Sequence, residues 1–314
     1  MNMRKLAVIH HRHMDWVPAL REAEPRLDIR GWHPREEGDP AWLAQAEGLF
    51  VWKLPEGLAA RMPRLAWIQN SGAGVDHLVA DPSIPPGVPI TRADGQFGFW
   101  MARYVAFHLL AGAQRPEECR TAQEARTWNP RLIPEDLTGR AALVVGFGRI
   151  GRQIGRALRD LGLEVRGFVR TPRADPEFPL LGTADLPKWL PEARALVLCA
   201  PLTPETRGLV DARLLAHGNP GLLLVNVGRG EQVVVPDLLE ALDAGRLGGA
   251  VLDVFSPEPL AAESPLWSHP KVTVTPHHSG PSTPRAMVPD LLPNLRRFAE
   301  GLAVEGGVDR ERGY

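Results

Sequence analysis

The 314-residue chain has little cysteine, little tyrosine and almost no net charge. Its two cysteines, Cys119 and Cys199, lie far apart and form no C-x-x-C pair, which argues against a disulfide framework and a structural zinc site. Cys199 ends the apolar run 195–199 and reads as a small core hydrophobe. No run of about 18 apolar residues occurs, so no transmembrane helix and no membrane partner are expected. The start, Met1-Asn2-Met3-Arg4-Lys5, is basic, but only Leu6-Ala7-Val8-Ile9 follows before His10, which is short for a signal-peptide core. A cytoplasmic location is the expectation. Lys and Arg total 36 against 37 Asp and Glu, so no basic field points to nucleic acid. There is neither a solenoid repeat nor a low-complexity segment.

What is present is an α/β pattern. At 44% hydrophobic and 23% charged residues the chain is globular, and its length suggests two domains. Strands are predicted at 6–10, 27–32, 48–52, 65–70 and 88–92, with helices at 15–24, 40–46 and 55–62 between them. After the Pro/Gly-rich stretch 81–87, a long helix is predicted over about 99–114. A second unit opens at Ala141, with short β-branched strands at 141–145, 163–169, 195–200, 222–227, 249–254 and 272–275. Such runs read as buried parallel strands. Helices at 149–162 and 235–244 lie among them, and a last helix, 284–301, is free to cross back to the first unit.

The chemistry-bearing residues sit at strand ends. Gly146-Phe147-Gly148-Arg149-Ile150-Gly151 follows a strand and opens a helix, the context in which glycines bring backbone up to a pyrophosphate. About 20 residues on, where NAD-binding chains place Asp or Glu, stands Val169. Arg170 and Arg173 follow, and read either as a clamp on a 2′-phosphate or as a solvated Arg-rich loop. Three further strands end in Asn226-Val227-Gly228-Arg229-Gly230, in Leu252-Asp253 running on to Glu258, and in Thr275-Pro276-His277-His278. An Arg, an acid and a His at that edge can supply a carboxylate clamp and an acid/base pair.

With these segments, Gly72-Ala73-Gly74-Val75-Asp76 and Pro201-Leu202-Thr203-Pro204-Glu205-Thr206 in the same order, the whole chain resembles the D-isomer-specific 2-hydroxyacid dehydrogenases. Within them it looks most like the glyoxylate/hydroxypyruvate reductase A group, through Glu263-Ser264-Pro265-Leu266-Trp267 and the end at 308–314. The resemblance implies two Rossmann-like α/β units with parallel sheets and a cleft between them. A substrate domain would span 1–97, completed by 283–314, and a dinucleotide-binding domain 98–282. It implies reduction of a small 2-oxo acid, glyoxylate or hydroxypyruvate first, to the 2-hydroxy acid, D where chiral. NADP(H) would be preferred, with NAD(H) admissible.

In that reading Arg229 grips the substrate carboxylate, His277 donates the proton and Glu258 is its partner. A neighbouring carboxylate favours the imidazolium form. The cofactor would be held by Gly146, Gly148, Arg149, Ile150, Gly151, Arg170, Arg173, Ala200, Pro201, Val227 and Gly228, with Asp253 meeting the nicotinamide carboxamide. Ala73 and Gly74 would offer backbone N–H groups to the substrate. Trp52 either walls the substrate pocket or is a core aromatic at a strand end. A homodimer through the long helix and the Trp128 region is also implied.

Two positions depart from the family pattern. His278 stands where an apolar residue is usual, and Arg103 replaces a common Glu. The cluster His10, His11 and His13 invites a metal reading, but alternation along the strand would send His10 and His11 to opposite faces, so no metal is expected. Phosphoglycerate or another acid remains an alternative substrate. The chain ends soon after its last helix, so the regulatory small-molecule domain that some such enzymes append is not expected here. A dinucleotide-sensing corepressor or scaffold of the same fold is the alternative outside the enzymes.

Overall fold

Apolar, β-branched runs cut off by Gly, Pro and polar turns form two parallel sheets in a computed structural model that describes residues 3–93 and 96–313. The chain divides into one unit of Met1–Phe97 with Pro281–Tyr314 and another of Gly98–Gly280.

The first unit holds β1 (Lys5–Ile9), β2 (Asp28–Trp32), β3 (Gly48–Val51), β4 (Trp67–Asn70) and β5 (Ile90–Arg92), in the order β2-β1-β3-β4-β5. Its first helices are α1 (His13–Ala23), α2 (Pro40–Leu43) and α3 (Asp76–Val79). The Asp39 carboxylate starts α2 by accepting from the N–H groups of Ala41 and Trp42. The helix expected over 55–62 is only a 3₁₀ turn, Ala59–Arg61. Gly57 there has φ +72°, a left-handed conformation that interrupts helical propagation.

A second expectation also fails. β1 stops at Ile9, so His10 and His11 lie in the following turn, where strand alternation no longer applies. Their rings stack at 4.3 Å instead of facing apart. His10 is buried, and that burial, with His11 and Arg12 beside it, lowers its imidazole to about 3 and keeps it neutral. Among the described residues no group of three or more His, Cys, Asp or Glu is placed to hold a metal ion.

The second unit begins with α4 (Phe97–Gln114), whose first residue still counts with the first unit, and α5 (Pro116–Glu124). Its sheet comprises β6 (Ala141–Val145), β7 (Glu164–Val169), β8 (Leu180–Gly182), β9 (Ala193–Leu198), β10 (Leu223–Asn226), β11 (Gly249–Leu252) and β12 (Val272–Val274). The order is β12-β11-β10-β9-β6-β7-β8, parallel throughout. α6 (Arg149–Asp160), α7 (Leu186–Trp189), α8 (Ala212–Leu215) and α9 (Val235–Asp243) connect the strands. Every residue of β6, β9 and β11 is buried, as expected of strands covered on both faces. Each Val or Leu sequestered this way contributes about 1.5–3 kcal/mol. Strand order reverses between β6 and β9, and open α/β sheets bind ligands beyond the strand ends at such a switch point.

The last helix, α10 (Pro284–Ala299), packs in the first unit through Met287, Leu291, Leu295 and Phe298. The Arg4 guanidinium lies 4.1 Å over the Phe298 ring and donates to the Phe298 carbonyl. No described helix is long and apolar enough to cross a membrane.

Candidate active site

At the switch point of the second sheet, β6 runs straight into a glycine turn and α6. Gly146 has φ +93°, and a Cβ there would stand 2.4 Å from the Ala200 backbone. Only glycine lets the turn after β6 touch the chain leaving β9. A Cβ on Gly151 would meet the Gly146 carbonyl at 2.1 Å, so this glycine seats α6 against the turn. Gly148 differs: a Cβ there meets nothing within 4 Å. Gly148 is the N-cap of α6 and supplies no side-chain cap, so no capping side chain covers the N-terminus of this twelve-residue helix. That cradle suits a pyrophosphate.

The rest of the predicted cofactor set is gathered along this edge. Gly228 closes on the Ala200 carbonyl, Val227 is buried behind it, and Pro201 is exposed. Arg149 is exposed and Ile150 half-buried at the start of α6. β7 ends at Val169, which is buried, while Arg170 and Arg173 are exposed beyond it. The Thr203 hydroxyl first, and the Arg170 charge with it, hold the Glu205 carboxyl below its usual range. The Cys199 thiol turns to the carbonyls of Val145 and Gly146, and desolvation pushes it up to about 12.

Three neighbouring strands carry the Arg, the acid and the His. After β10, Asn226 accepts from the Gly228 N–H at 3.0 Å and donates to the Arg229 carbonyl at 2.8 Å, fixing the turn that presents Arg229. The fully buried Gln232 accepts from the Arg229 N–H at 3.2 Å. A Cβ on Gly230 would stand 2.2 Å from the Phe255 backbone, so the loops after β10 and β11 lie directly against each other. In the second loop the Glu258 carboxylate accepts from the Phe255 N–H at 3.0 Å.

His277 follows β12 with φ +53°, held by its N–H on the Asp253 carbonyl at 2.8 Å. A left-handed non-glycine residue of this kind costs of the order of 1–3 kcal/mol and persists only where its surroundings enforce it. Its Nδ1 lies 3.0 and 3.1 Å from the two Glu258 oxygens, and both side chains are about one-third exposed. Burial alone would raise the Glu258 carboxyl. The His277 bond and charge, the Phe255 N–H and the Arg229 charge outweigh it and bring it below the ordinary value. Arg229, Glu258 and His277 thus form one electrostatic group.

Asp253 has a task the sequence did not disclose. It is wholly buried, and its Oδ1 accepts from the Thr275 hydroxyl at 2.6 Å and the His278 N–H at 2.9 Å. Its Oδ2 accepts from the Ser279 N–H at 2.9 Å. The carboxylate therefore ties down the turn that carries His277. His278 serves that turn through its backbone, and its ring meets Tyr104 edge-on. Asn226 and Gln232 were also missed. A buried Asn just before Gly-Arg-Gly is the signal that would have found the first.

In the first unit, the Trp52 ring lies against Gly72, where a Cβ would come within 2.0 Å of it. The Asn70 amide donates to the carbonyls of Gly72 and Gly74 at 3.0 and 2.8 Å. With those carbonyls drawn inward, the N–H groups of Ala73 and Gly74 take no partner among the described residues.

Residues 106–279 match the family model for the D-isomer specific 2-hydroxyacid dehydrogenase NAD binding domain. Glyoxylate/hydroxypyruvate reductase A of Serratia proteamaculans is 31% identical over 307 residues, covering 96% of either chain. A D-isomer specific 2-hydroxyacid dehydrogenase from Xanthobacter autotrophicus Py2, solved with NADPH and MES, is 37% identical with a TM-score of 0.88, covering 99% of either chain. The NADPH-dependent glyoxylate/hydroxypyruvate reductase of Sinorhizobium meliloti, solved with NADP and sulfate, is 31% identical with a TM-score of 0.87. That match covers 99% of this chain and 100% of the other.

Proposed function

The chain belongs to the D-isomer specific 2-hydroxyacid dehydrogenase family, and on that premise we propose that it reduces glyoxylate or hydroxypyruvate to the 2-hydroxy acid, D where chiral. The observation that carries this is the Nδ1 of His277 at 3.0 Å from Glu258, with the Arg229 charge acting on the same carboxylate.

When bound at the Gly148 cradle, the dinucleotide supplies the hydride. The protein's own groups do the rest. The Arg229 guanidinium holds the substrate carboxylate and the 2-oxo oxygen through its fork of N–H donors and polarises the carbonyl. Glu258 engages Nδ1, keeps the ring oriented and favours its charged form, so the proton is delivered from Nε2 to the carbonyl oxygen. One proton and one hydride convert C=O to CH–OH. From the first unit, Trp52, Ala73 and Gly74 are assigned to the substrate. The roles follow the division expected above, substrate domain at 1–97 with 283–314 and dinucleotide domain at 98–282.

NADP(H) is the preferred cofactor in this reading. Three features support it: no carboxylate ends β7, two arginines follow, and the Xanthobacter and Sinorhizobium relatives were solved with NADPH and NADP. The protein is also read as a cytoplasmic homodimer. Along α4, Phe99, Trp100, Phe107 and Leu110 are exposed, and Trp128 beyond it is 93% exposed.

The test is direct. Purified protein mixed with NADPH and either glyoxylate or hydroxypyruvate should consume the NADPH absorbance and yield glycolate or glycerate. No turnover with either acid would overturn the reading.

A further inference from the structure

The turn carrying His277 is joined to helix α4 by two short hydroxyl contacts that the chemistry above does not use. Thr275 donates its hydroxyl proton to Asp253 Oδ1 at 2.6 Å, and the Tyr104 hydroxyl lies 2.6 Å from the same Thr275 oxygen. A threonine hydroxyl has one proton, and Asp253 takes it. Tyr104 must therefore be the donor to Thr275. The string has one polarity: Tyr104 O–H to Thr275, Thr275 O–H to Asp253, with Asp253 accepting from the N–H groups on the far side of His277.

We propose that Tyr104 and Thr275 are positioning residues for the proton donor, fixing the Asp253 carboxylate that in turn holds His277 in its left-handed conformation. Geometry makes this specific. Asp253 bonds residues 275, 278 and 279 through its side chain and 277 through its carbonyl, so it brackets the histidine on both sides. Without the Thr275 hydroxyl, the carboxylate keeps the His278 and Ser279 N–H groups but loses its one side-chain donor and with it the tie to α4. Without the Tyr104 hydroxyl, Thr275 can turn its own oxygen elsewhere.

The surroundings of Tyr104 suit a fixed donor. His108 and His278 both meet its ring edge-on, at 4.4 and 5.7 Å between centroids, and restrain the phenol. Burial first, and the nearby Asp253 charge, raise its hydroxyl above the usual phenol value, so it keeps its proton throughout the working range.

This inference rests on His277 as the proton donor, so His277→Asn is measured alongside. The full-length variants Tyr104→Phe, Thr275→Val, Thr275→Ser and Tyr104→Phe/Thr275→Val are compared in steady-state reduction of glyoxylate by NADPH, each checked by thermal melting. Loss of one neutral hydrogen bond in the string should lower kcat about three- to tenfold in Tyr104→Phe, with KM for NADPH changed by less than about twofold. Thr275→Val should lose at least as much, and Thr275→Ser should recover most of it because the hydroxyl remains. In the double variant the Tyr104 change should add almost nothing, since its acceptor is already gone. Wild-type kcat in Tyr104→Phe, independent losses in the double variant, or Thr275→Ser as impaired as Thr275→Val would each overturn the inference. Should Thr275→Val fail to fold, Tyr104→Phe and Thr275→Ser decide alone. Near-normal turnover by His277→Asn would instead remove the proton-donor reading, whatever Tyr104→Phe does.

Discussion

At the scale of single residues, His277 and Glu258 divide one job. In the proposed reaction the imidazole supplies a proton and contributes little to dinucleotide affinity. His277→Asn should therefore cut turnover by about 10²–10⁴-fold while NADPH binding, read by fluorescence titration, survives. His278→Asn should be far milder, because His278 acts on Asp253 through its backbone N–H. A reversed pair of effects would show that the wrong histidine has been assigned. The pH profile separates Glu258 from the histidine. Its lowered carboxyl is anionic across neutral pH and stabilises positive charge on the ring it touches. Glu258→Gln removes that charge, so reduction, which in the proposed mechanism needs the protonated ring, should begin to fail at lower pH. Oxidation of glycolate, which needs the neutral ring, should extend to lower pH in the same variant. A profile unmoved in both directions would exclude Glu258 from the role.

At the scale of elements, the proposed cofactor choice turns on the end of β7. A carboxylate at Val169 would accept from both ribose hydroxyls of NAD and repel a 2′-phosphate, and Val169 does neither. Arg170 and Arg173, exposed on the loop that follows, leave the phosphate the better partner. The ratio of kcat/KM for NADPH over NADH should fall about tenfold in Arg170→Ala, a figure reduced for solvent exposure. Val169→Asp with Arg170→Ala should favour NADH. Equal use of the two cofactors by the unmutated protein would make these arginines a solvated loop and nothing more. Strands of this kind were legible because burial on both faces demands continuous apolar, β-branched runs, as in β6 and β9. The edge strand β8 was not, since three residues, Leu180–Gly182, carry no periodicity. The helix expected over 55–62 failed for the converse reason: its apolar spacing was adequate, and a left-handed Gly57 cut it short.

At the scale of the molecule, two properties follow from surfaces and burial. The exposed Phe107 stands mid-helix on the α4 apolar face, with Phe99, Trp100 and Leu110 along the same helix. Sedimentation should give twice the mass of one chain for the wild type and a single chain for Phe107→Glu. A wild-type monomer would leave that face without its proposed partner. The first unit should also be acid-sensitive through His10. Its imidazole titrates near 6.5 when unfolded and at about 3 when folded. Between those values only the unfolded chain binds the proton, so stability is full above 6.5 and is lost as pH falls, at up to about 1.4 kcal/mol per unit. His10→Asn, which keeps an acceptor for the Arg12 N–H, should flatten that part of the slope. Urea midpoints at pH 7 and 5 test it, and an unchanged slope would remove His10 as the source.

The sequence by itself determined the α/β class, the glycine cradle and the order of Arg229, Glu258 and His277, because strand burial and helix N-termini impose local rules that single residues must obey. It did not reveal which polar side chains hold those groups in place. Asp253 and Thr275 lie 22 residues apart, and Tyr104 and Thr275 171 residues apart. No local spacing encodes such pairs. They meet only because β11 and β12 are adjacent and α4 packs where it does, and a hydrogen bond depends on positions within a few tenths of an ångström, which tertiary packing alone supplies.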